Sequence, residues 1–330
     1  MEVQKTAKYK RDTSLDAICG LFIVYMIIGH AFQWAHIEDD DFQVNLSYVF
    51  YMFMAWFFYK SGMYHKKEEP KIAIRKYANK LLLPWIIYGA IGEFLYWITC
   101  YQNGILSWKP LIAYPIKDII FQGTMGGNLP LWFLLSLFLV KILMSYCDKY
   151  KISHIYVLIL GMVISGGGTV AMTNNIPLPF TLFNVPLGIS YYVIGFKLKD
   201  VQYKRYIFGI SLIVFILLSL LIPSFVDFRS DRTIRGYWIF FIISSVAGII
   251  AINNIFKYKI FQLPELCSVG KNSLSYYCLH WIVFYVVFIL CNFKSSDIPN
   301  YDLLYELMFW SIVILPILTY FRSLIIKRIR

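Results

Sequence analysis

A histidine and an aspartate stand out in the first apolar segment of the chain, residues 14–35. His30 lies deep in the apolar run, and Asp16 lies at its start. An ionisable side chain is costly to place at bilayer depth, so such a residue points to a functional site. An imidazole titrates near neutral pH, which makes His30 a candidate general base for taking a proton from a hydroxyl. A structural role, in which His30 bridges two helices by a hydrogen bond, stays open.

On a helix, His30 shares one face with residues nearer the start of the segment. Steps of 4, 7, 11 and 14 residues back from His30 reach Met26, Ile23, Cys19 and Asp16, which form one stripe at 3.6 residues per turn. At 1.5 Å per residue, Asp16 and His30 are about 21 Å apart, with His30 in the outer half of the bilayer. Asp16 therefore cannot orient the imidazole directly, and the partner of His30 must come from another helix.

Composition indicates a membrane protein. Of 330 residues, 59% are hydrophobic and only 15% are charged, and the mean hydropathy is +0.60. A transmembrane helix needs roughly 20 mainly apolar residues. Ten stretches fit, at 14–35, 44–63, 81–100, 129–146, 153–172, 179–197, 205–224, 236–256, 273–293 and 303–322. No polar region is long enough for a second domain, so residues 1–330 are predicted to form one all-α polytopic membrane bundle of about ten helices.

The distribution of Lys and Arg predicts the orientation of this bundle. With both termini in the cytoplasm, the cytoplasmic segments hold 23 of the 31 basic residues, the outer loops hold six, and two lie within spans. Basic residues in short loops favour the cytoplasmic side. The net charge of +12 is then expected to face anionic lipid head groups or an anionic ligand, and not nucleic acid. The predicted location is the cell membrane, of the bacterial inner-membrane type.

Six cysteines are scattered along the chain without metal-binding or redox spacing. We interpret them as small packing residues within or near the spans. The sequence predicts neither a metal site nor a permanently bound cofactor.

Two further titratable residues lie within predicted spans. Glu93, in the third span, is costly to bury as an anion, so it is expected to be protonated, to pair with a lysine, or to hold an imidazole. His280 lies about ten residues into the ninth span, which predicts a shallower position than that of His30. Its predicted role is in packing or in the donor site, and not in the chemistry.

Three other polar or aromatic residues have simpler interpretations. Asn272 and Ser273 lie at the start of the ninth span and are residue types that cap helices. Trp132 is near a predicted interface, where tryptophan is more often a membrane anchor than a substrate platform.

Short motifs occur in a fixed order along the chain. They are Asp16–His30, Phe57–Gly62, Arg75–Pro84, Leu131–Leu134, Gly195–Phe196 and Gly270–His280. In this order they resemble the acyltransferase-3 family, the integral membrane O-acyltransferases that include polysaccharide and fucose O-acetylases. Each motif alone is weak, whereas the ordered set is specific, and it covers residues 11 to about 282.

The resemblance implies transfer of an acyl group, usually acetyl from cytoplasmic acetyl-CoA, to a hydroxyl of an envelope or lipid-linked sugar. It implies that His30 is the catalytic residue, acting as general base or through a transient acyl-histidine, and the sequence does not choose between these routes. Asp16 in the first span and Glu93 in the third are further catalytic candidates. Acetyl-CoA is here a substrate, and the expected partners are the sugar acceptor and membrane lipids.

A basic segment before the third span is the candidate site for the anionic donor. Lys76 and Lys80 are one helical turn apart and are predicted to face the phosphates, followed by Arg75 and Lys60. Ordinary positive-inside topology also explains most of these charges.

The chain departs from the family pattern at one position. The family usually has Arg or Lys eleven residues before the catalytic histidine, and this chain has Cys19 there. Either Arg11 or Lys60 supplies that charge, or donor binding is altered.

Two alternatives come from other classes of protein. A glycolipid transporter or flippase would also carry buried His, Glu and Lys, although no internal repeat is visible. A glycan polymerase is expected to have a large outer loop with arginines, and residues 101–128 contain none. The charged cluster that follows the seventh span either contacts the acceptor or forms a solvated loop; its members are Asp227, Arg229, Asp231, Arg232 and Arg235.

Overall fold

The structure is a computed structural model that describes residues 11–37, 50–227, 232–293 and 298–329. Within these ranges the chain is almost entirely helical, and one short antiparallel hairpin joins β1 (Phe225–Asp227) to β2 (Arg232–Arg235). The α-helices are α1 Thr13–Trp34, α2 Phe53–Met63, α3 Pro70–Tyr77, α4 Leu83–Gln102, α5 Tyr114–Gln122, α6 Trp132–Lys149, α7 His154–Thr173, α8 Asn184–Leu198, α9 Arg205–Leu221, α10 Trp238–Ile255, α11 Pro264–Lys271, α12 Ser273–Leu290 and α13 Tyr301–Ile329.

The predicted all-α polytopic membrane fold is confirmed. Seven helical stretches of the described residues are long and apolar enough to cross a membrane. The other three predicted stretches coincide with the shorter helices α2, α8 and α9, and residues 44–49 lie outside the described residues. The number of ten spans and the cytoplasmic position of both termini stay predictions.

Helix α1 lies at the centre of the bundle. The side chain of Asp12 caps it by accepting a hydrogen bond from the backbone N–H of Ser14 at 3.0 Å. Most of its length is buried, including Leu15, Ile18 and Phe22. A helix that is apolar on most of its surface is typical of a membrane span or of the core of a bundle.

Glycines let two pairs of helices touch through their backbones. A β-carbon on Gly20 of α1 would overlap the backbone oxygen of Leu266 on α11, and one on Gly270 would overlap that of Asp16. Gly62 of α2 and Gly195 of α8 stand in the same relation to the backbone of the facing helix. Small residues of this kind allow close helix packing in membranes.

Substitution of Gly270 by Ala is expected to separate α11 from α1 and to destabilise the bundle, because the new β-carbon meets backbone and not a mobile side chain. Overpacking of this kind costs about 1–3 kcal/mol. Heating the detergent-solubilised variant and measuring the fraction that stays monodisperse would show a lower midpoint than wild type. Gly209→Ala is the matched control, since nothing lies within 4 Å of a β-carbon there. Equal midpoints for both variants would contradict this account of the contact.

Candidate active site

Two histidines meet in the bundle. His30 of α1 and His280 of α12 are joined by a hydrogen bond of 2.9 Å between His30 Nδ1 and His280 Nε2. Their rings are nearly parallel, with planes 11° apart and centroids separated by 5.1 Å, and they meet at their edges through this hydrogen bond. His280 is fully buried, whereas His30 is partly buried. The sequence predicted that the hydrogen-bond partner of His30 lies on another helix, and this partner is a second imidazole.

The surroundings of His280 determine which nitrogen of each ring carries a proton. His280 Nδ1 faces the backbone oxygens of Tyr277 at 2.8 Å and Tyr276 at 3.2 Å. Carbonyl oxygens only accept, so Nδ1 is the protonated nitrogen and Nε2 of a neutral His280 is an acceptor. His30 Nδ1–H must then donate to it. This assignment, inferred from the hydrogen-bond partners, puts the lone pair of His30 on Nε2, as a general base requires.

His30 lines a cavity of about 280 Å³, which we name the small cavity. Its wall is aromatic, with Trp132, Tyr277 and Trp281, and the edge of Trp281 is perpendicular to the His30 ring at a centroid distance of 5.2 Å. Polar groups are contributed by Gln33 and by Asp227 of β1. A pocket with mainly aromatic walls and a few polar groups is typical of a ligand site.

One wall of the small cavity is a 3₁₀ segment, Gly126–Leu131, which contributes Leu129 and Pro130. Glu93 of α4 accepts a hydrogen bond from the backbone N–H of Gly127 at 2.7 Å. Glu93 thus contacts the wall of the cavity through a backbone group, a partner that was not among its predicted ones.

The same segment is held from α12. The hydroxyl of Tyr277 donates to the backbone oxygen of Pro130. The side-chain amide of Asn128 donates to backbone oxygens of α4 and α12, both at 3.3 Å. Helix α12, which carries His280, therefore also holds this wall of the small cavity in place.

A second cavity of about 1240 Å³, the large cavity, lies nearer the end of the bundle at which α1 begins. Lys80 and Arg322 contribute positive charge to a mainly apolar lining. The Arg322 guanidinium donates to Ser275 Oγ and lies over the Tyr88 ring at 5.9 Å. Met54 and Tyr277 line both cavities, so the two spaces adjoin beside the histidine pair.

Asp16 lies far from this pair, at the start of α1. Arg11 binds its carboxylate with two nitrogens, at 2.5 and 2.8 Å. This hydrogen bonding raises the pKa of Arg11, which stays a cation. Asp16 is therefore an ion-paired residue at the predicted cytoplasmic end, and a catalytic role for it stays a prediction.

The four basic donor candidates occupy different environments. Lys80 alone of them lines the large cavity. Lys76 is paired with Glu68, and Arg75 is exposed. Lys80 lies within a π-helical segment, Ala78–Leu82, so Lys76 and Lys80 do not follow regular α-helical spacing.

Lys60 lies close to the position at which the family usually has a basic residue and this chain has Cys19. Its ammonium lies over the Trp56 ring at 4.8 Å and is 3.4 Å from the backbone oxygen of Leu15, one helical turn before Cys19. Cys19 itself is buried among apolar side chains. Of the two residues expected to compensate for Cys19, Arg11 is thus committed to Asp16 and Lys60 reaches the adjacent turn.

Two predictions from the sequence are wrong, and a third is confirmed only in part. His280 is not shallower than His30 but in contact with it. Trp132 is a buried wall of the small cavity and not an interfacial anchor, because the 3₁₀ segment before α6 turns it inward. Asn272 lies at the N-cap position of α12, as predicted, but its amide donates back to the carbonyl of Ser268 and makes no side-chain cap. Ser273 begins α12 and lines the large cavity.

Sequence reasoning missed Tyr277, Trp281 and Arg322. Tyr277 is three residues before His280, and that spacing put it on the same helix face. Arg322 was not predicted as a site residue, because positive-inside topology already explained the basic residues at the C-terminal end. In the charged cluster, Asp227 lines the small cavity, whereas Arg229 and Asp231 lie outside the described residues.

Comparison with known proteins gives one match. A family model described as an acyltransferase domain, that of the acyltransferase-3 family, matches residues 12–328. A search of the curated proteins found no match, and neither did a search of the solved structures.

Proposed function

This chain belongs to the acyltransferase-3 family and is a membrane acyltransferase, and on that premise we propose that it moves an acetyl group from cytoplasmic acetyl-CoA to a sugar hydroxyl. The acceptor is a cell-surface or lipid-linked glycan of the cell envelope. The observation that carries the proposal is the histidine pair, which makes His30 Nε2 an acceptor beside two adjoining cavities.

In this mechanism the acceptor occupies the small cavity and the acyl thioester reaches it from the large one. His30 Nε2 takes the proton of the sugar hydroxyl as its oxygen attacks the thioester carbonyl. The C–S bond breaks, the ester forms, and the leaving thiolate takes the proton back from His30. His280 supports the step by accepting the Nδ1–H hydrogen bond of His30.

In the competing route His30 Nε2 attacks the thioester itself, the C–S bond breaks, and a thiolate and an acyl-imidazolium form. The sugar oxygen then attacks the acyl group, the bond to Nε2 breaks, and the proton of the sugar hydroxyl neutralises the thiolate. A pulse of acetyl-labelled CoA without acceptor, followed by rapid denaturation near neutral pH, separates the two routes, because an acyl-imidazole hydrolyses quickly in acid. Label retained on the wild-type chain but absent from His30→Ala indicates the acyl-histidine, since label on a free cysteine would be present in both.

The test of function uses the purified full chain in nanodiscs with acetyl-CoA and longer acyl-CoAs, with water as the acceptor. Release of free CoA is followed by chromatography, because the free cysteines would interfere with a thiol reagent. Hydrolysis that is lost in His30→Ala supports the enzyme. No turnover of any acyl-CoA by the folded protein would contradict the proposal and favour a glycolipid carrier.

Replacing Lys80 or Arg322 by Gln is expected to raise the KM for acetyl-CoA about tenfold with a smaller change in kcat, because each loses a charge-assisted contact to the donor phosphates. Arg322→Lys keeps the charge and is expected to retain more of the affinity. Lys71, exposed on α3 and outside the large cavity, provides the control variant Lys71→Gln. An unchanged KM in both cavity variants would place the donor phosphates elsewhere.

A further inference from the structure

A second cluster of histidine and carboxylate lies away from the catalytic pair. His65 follows α2, Asp148 lies at the end of α6, and His154 begins α7. Asp148 Oδ2 is 2.9 Å from His65 Nε2, and Oδ1 is 2.9 Å from His154 Nε2. The side chains are only 4%, 7% and 11% exposed for His65, Asp148 and His154.

We infer that His65, Asp148 and His154 form a binding site for a divalent transition-metal ion such as Zn²⁺. One ligand atom from each residue lies within 4.8 Å of the other two. Zinc bound at about 2.0–2.1 Å by tetrahedral nitrogen and oxygen ligands keeps them about 3.3 Å apart. Movements of about 1.5 Å or less, with the metal replacing the N–H groups between imidazole and carboxylate, complete the set.

The environment of His65 fits a metal ligand. His65 Nδ1 is 2.8 Å from the hydroxyl of Tyr192. When Nδ1–H donates to that hydroxyl, Nε2 carries the lone pair and points at the cluster. Metal-bound histidines generally make such a hydrogen bond with the other ring nitrogen, which fixes the tautomer and the ring orientation. Phe196 packs edge-on against both imidazoles, at centroid distances of 5.1 and 5.0 Å.

Two histidine nitrogens and one carboxylate oxygen form a ligand set that suits Zn²⁺ and similar ions, and three protein ligands leave one position for water. The ion would tie together the segment after α2, the end of α6 and the start of α7. Tyr192 connects this point to Lys141, whose ammonium lies 4.9 Å above its ring. The role of the ion is therefore to hold these elements in place at one end of the bundle.

The test measures metal and not activity, so it is independent of the proposed acyl transfer. The full chain is purified with an affinity tag that contains no histidine, and its metal content is measured by inductively coupled plasma mass spectrometry. About one first-row metal per chain is expected, with loss in Asp148→Asn and His154→Gln. His36, exposed and outside the cluster, provides the control variant His36→Gln, which should bind as wild type does.

Two further measurements use the wild-type chain and do not depend on the variants folding. Zn²⁺ added after chelation is expected to raise its unfolding midpoint, and Co²⁺ is expected to give the visible absorption of a four-coordinate site. Tyr192→Phe is expected to weaken binding about tenfold, the lower end of the effect of such outer partners. No bound metal and no Zn²⁺-dependent shift in the folded wild type would overturn the inference and leave a hydrogen-bonded cluster.

Discussion

His30→Ala is expected to lower the rate of acyl transfer about 10³-fold, within the range of about 10²–10⁴ that a positioned general base contributes. The loss should fall on kcat, because the donor phosphates are predicted to bind at Lys80 and Arg322 in the large cavity. The measurement is steady-state release of CoA by the purified protein at saturating acetyl-CoA. If His30 is instead the nucleophile, the acetyl label that stays on the chain after denaturation near neutral pH should also disappear in the variant.

The control for this loss is a histidine that lines neither the small cavity nor the large cavity. His36→Ala removes an exposed imidazole six residues further along the chain and is expected to keep nearly full activity. Both variants need the same unfolding midpoint as wild type for a fair comparison. A folded His30→Ala protein with wild-type turnover would exclude His30 from the chemistry.

The sequence was sufficient to predict the membrane bundle and the helix that carries His30. Ten apolar stretches were visible, and each coincides with a helix in the described residues. The requirement that the partner of His30 come from another helix followed from the rise per residue alone. Periodicity gives positions along one helix, but it gives no information on how far one helix is shifted against another.

That shift is the reason why the depth of His280 was mispredicted. Depth was counted from the start of each apolar stretch, as if all helices began at one level. In the structure Gly270 is packed against Asp16 and Gly20 of α1, so the late segment enters the bundle beside the second turn of α1. His30 is ten residues beyond Gly20, and His280 is ten residues beyond Gly270. From this shared contact the two segments run on until the rings meet in the hydrogen bond between His30 and His280.

The other errors have a similar physical origin. The role of Trp132 depends on the irregular segment before α6, whose position is set by contacts from α4 and α12. The cluster of His65, Asp148 and His154 joins residues up to 89 positions apart, and no local spacing indicates it. Such contacts depend on tertiary packing, which a single sequence does not encode in readable form.

His280→Leu is expected to lower kcat about 100-fold with little change in the KM for acetyl-CoA. Leucine cannot accept the hydrogen bond from His30 Nδ1–H, so the proton is no longer held on that nitrogen and the lone pair is no longer fixed on Nε2. His280 is a positioning residue in this account, because it acts through His30. The loss should therefore be smaller than that of His30→Ala.

A conservative variant separates this role from simple packing. His280→Gln retains an oxygen that can accept from His30 Nδ1–H, so it is expected to recover at least tenfold of the activity lost in His280→Leu. Cys278 is fully buried on α12, two residues from His280. Cys278→Ala is therefore the control for a loss of side-chain volume in the same helix, and it should leave kcat within a few-fold of wild type. If Leu and Gln at position 280 gave the same kcat, the hydrogen bond between the two imidazoles would not direct the proton, and the base would need another means of orientation.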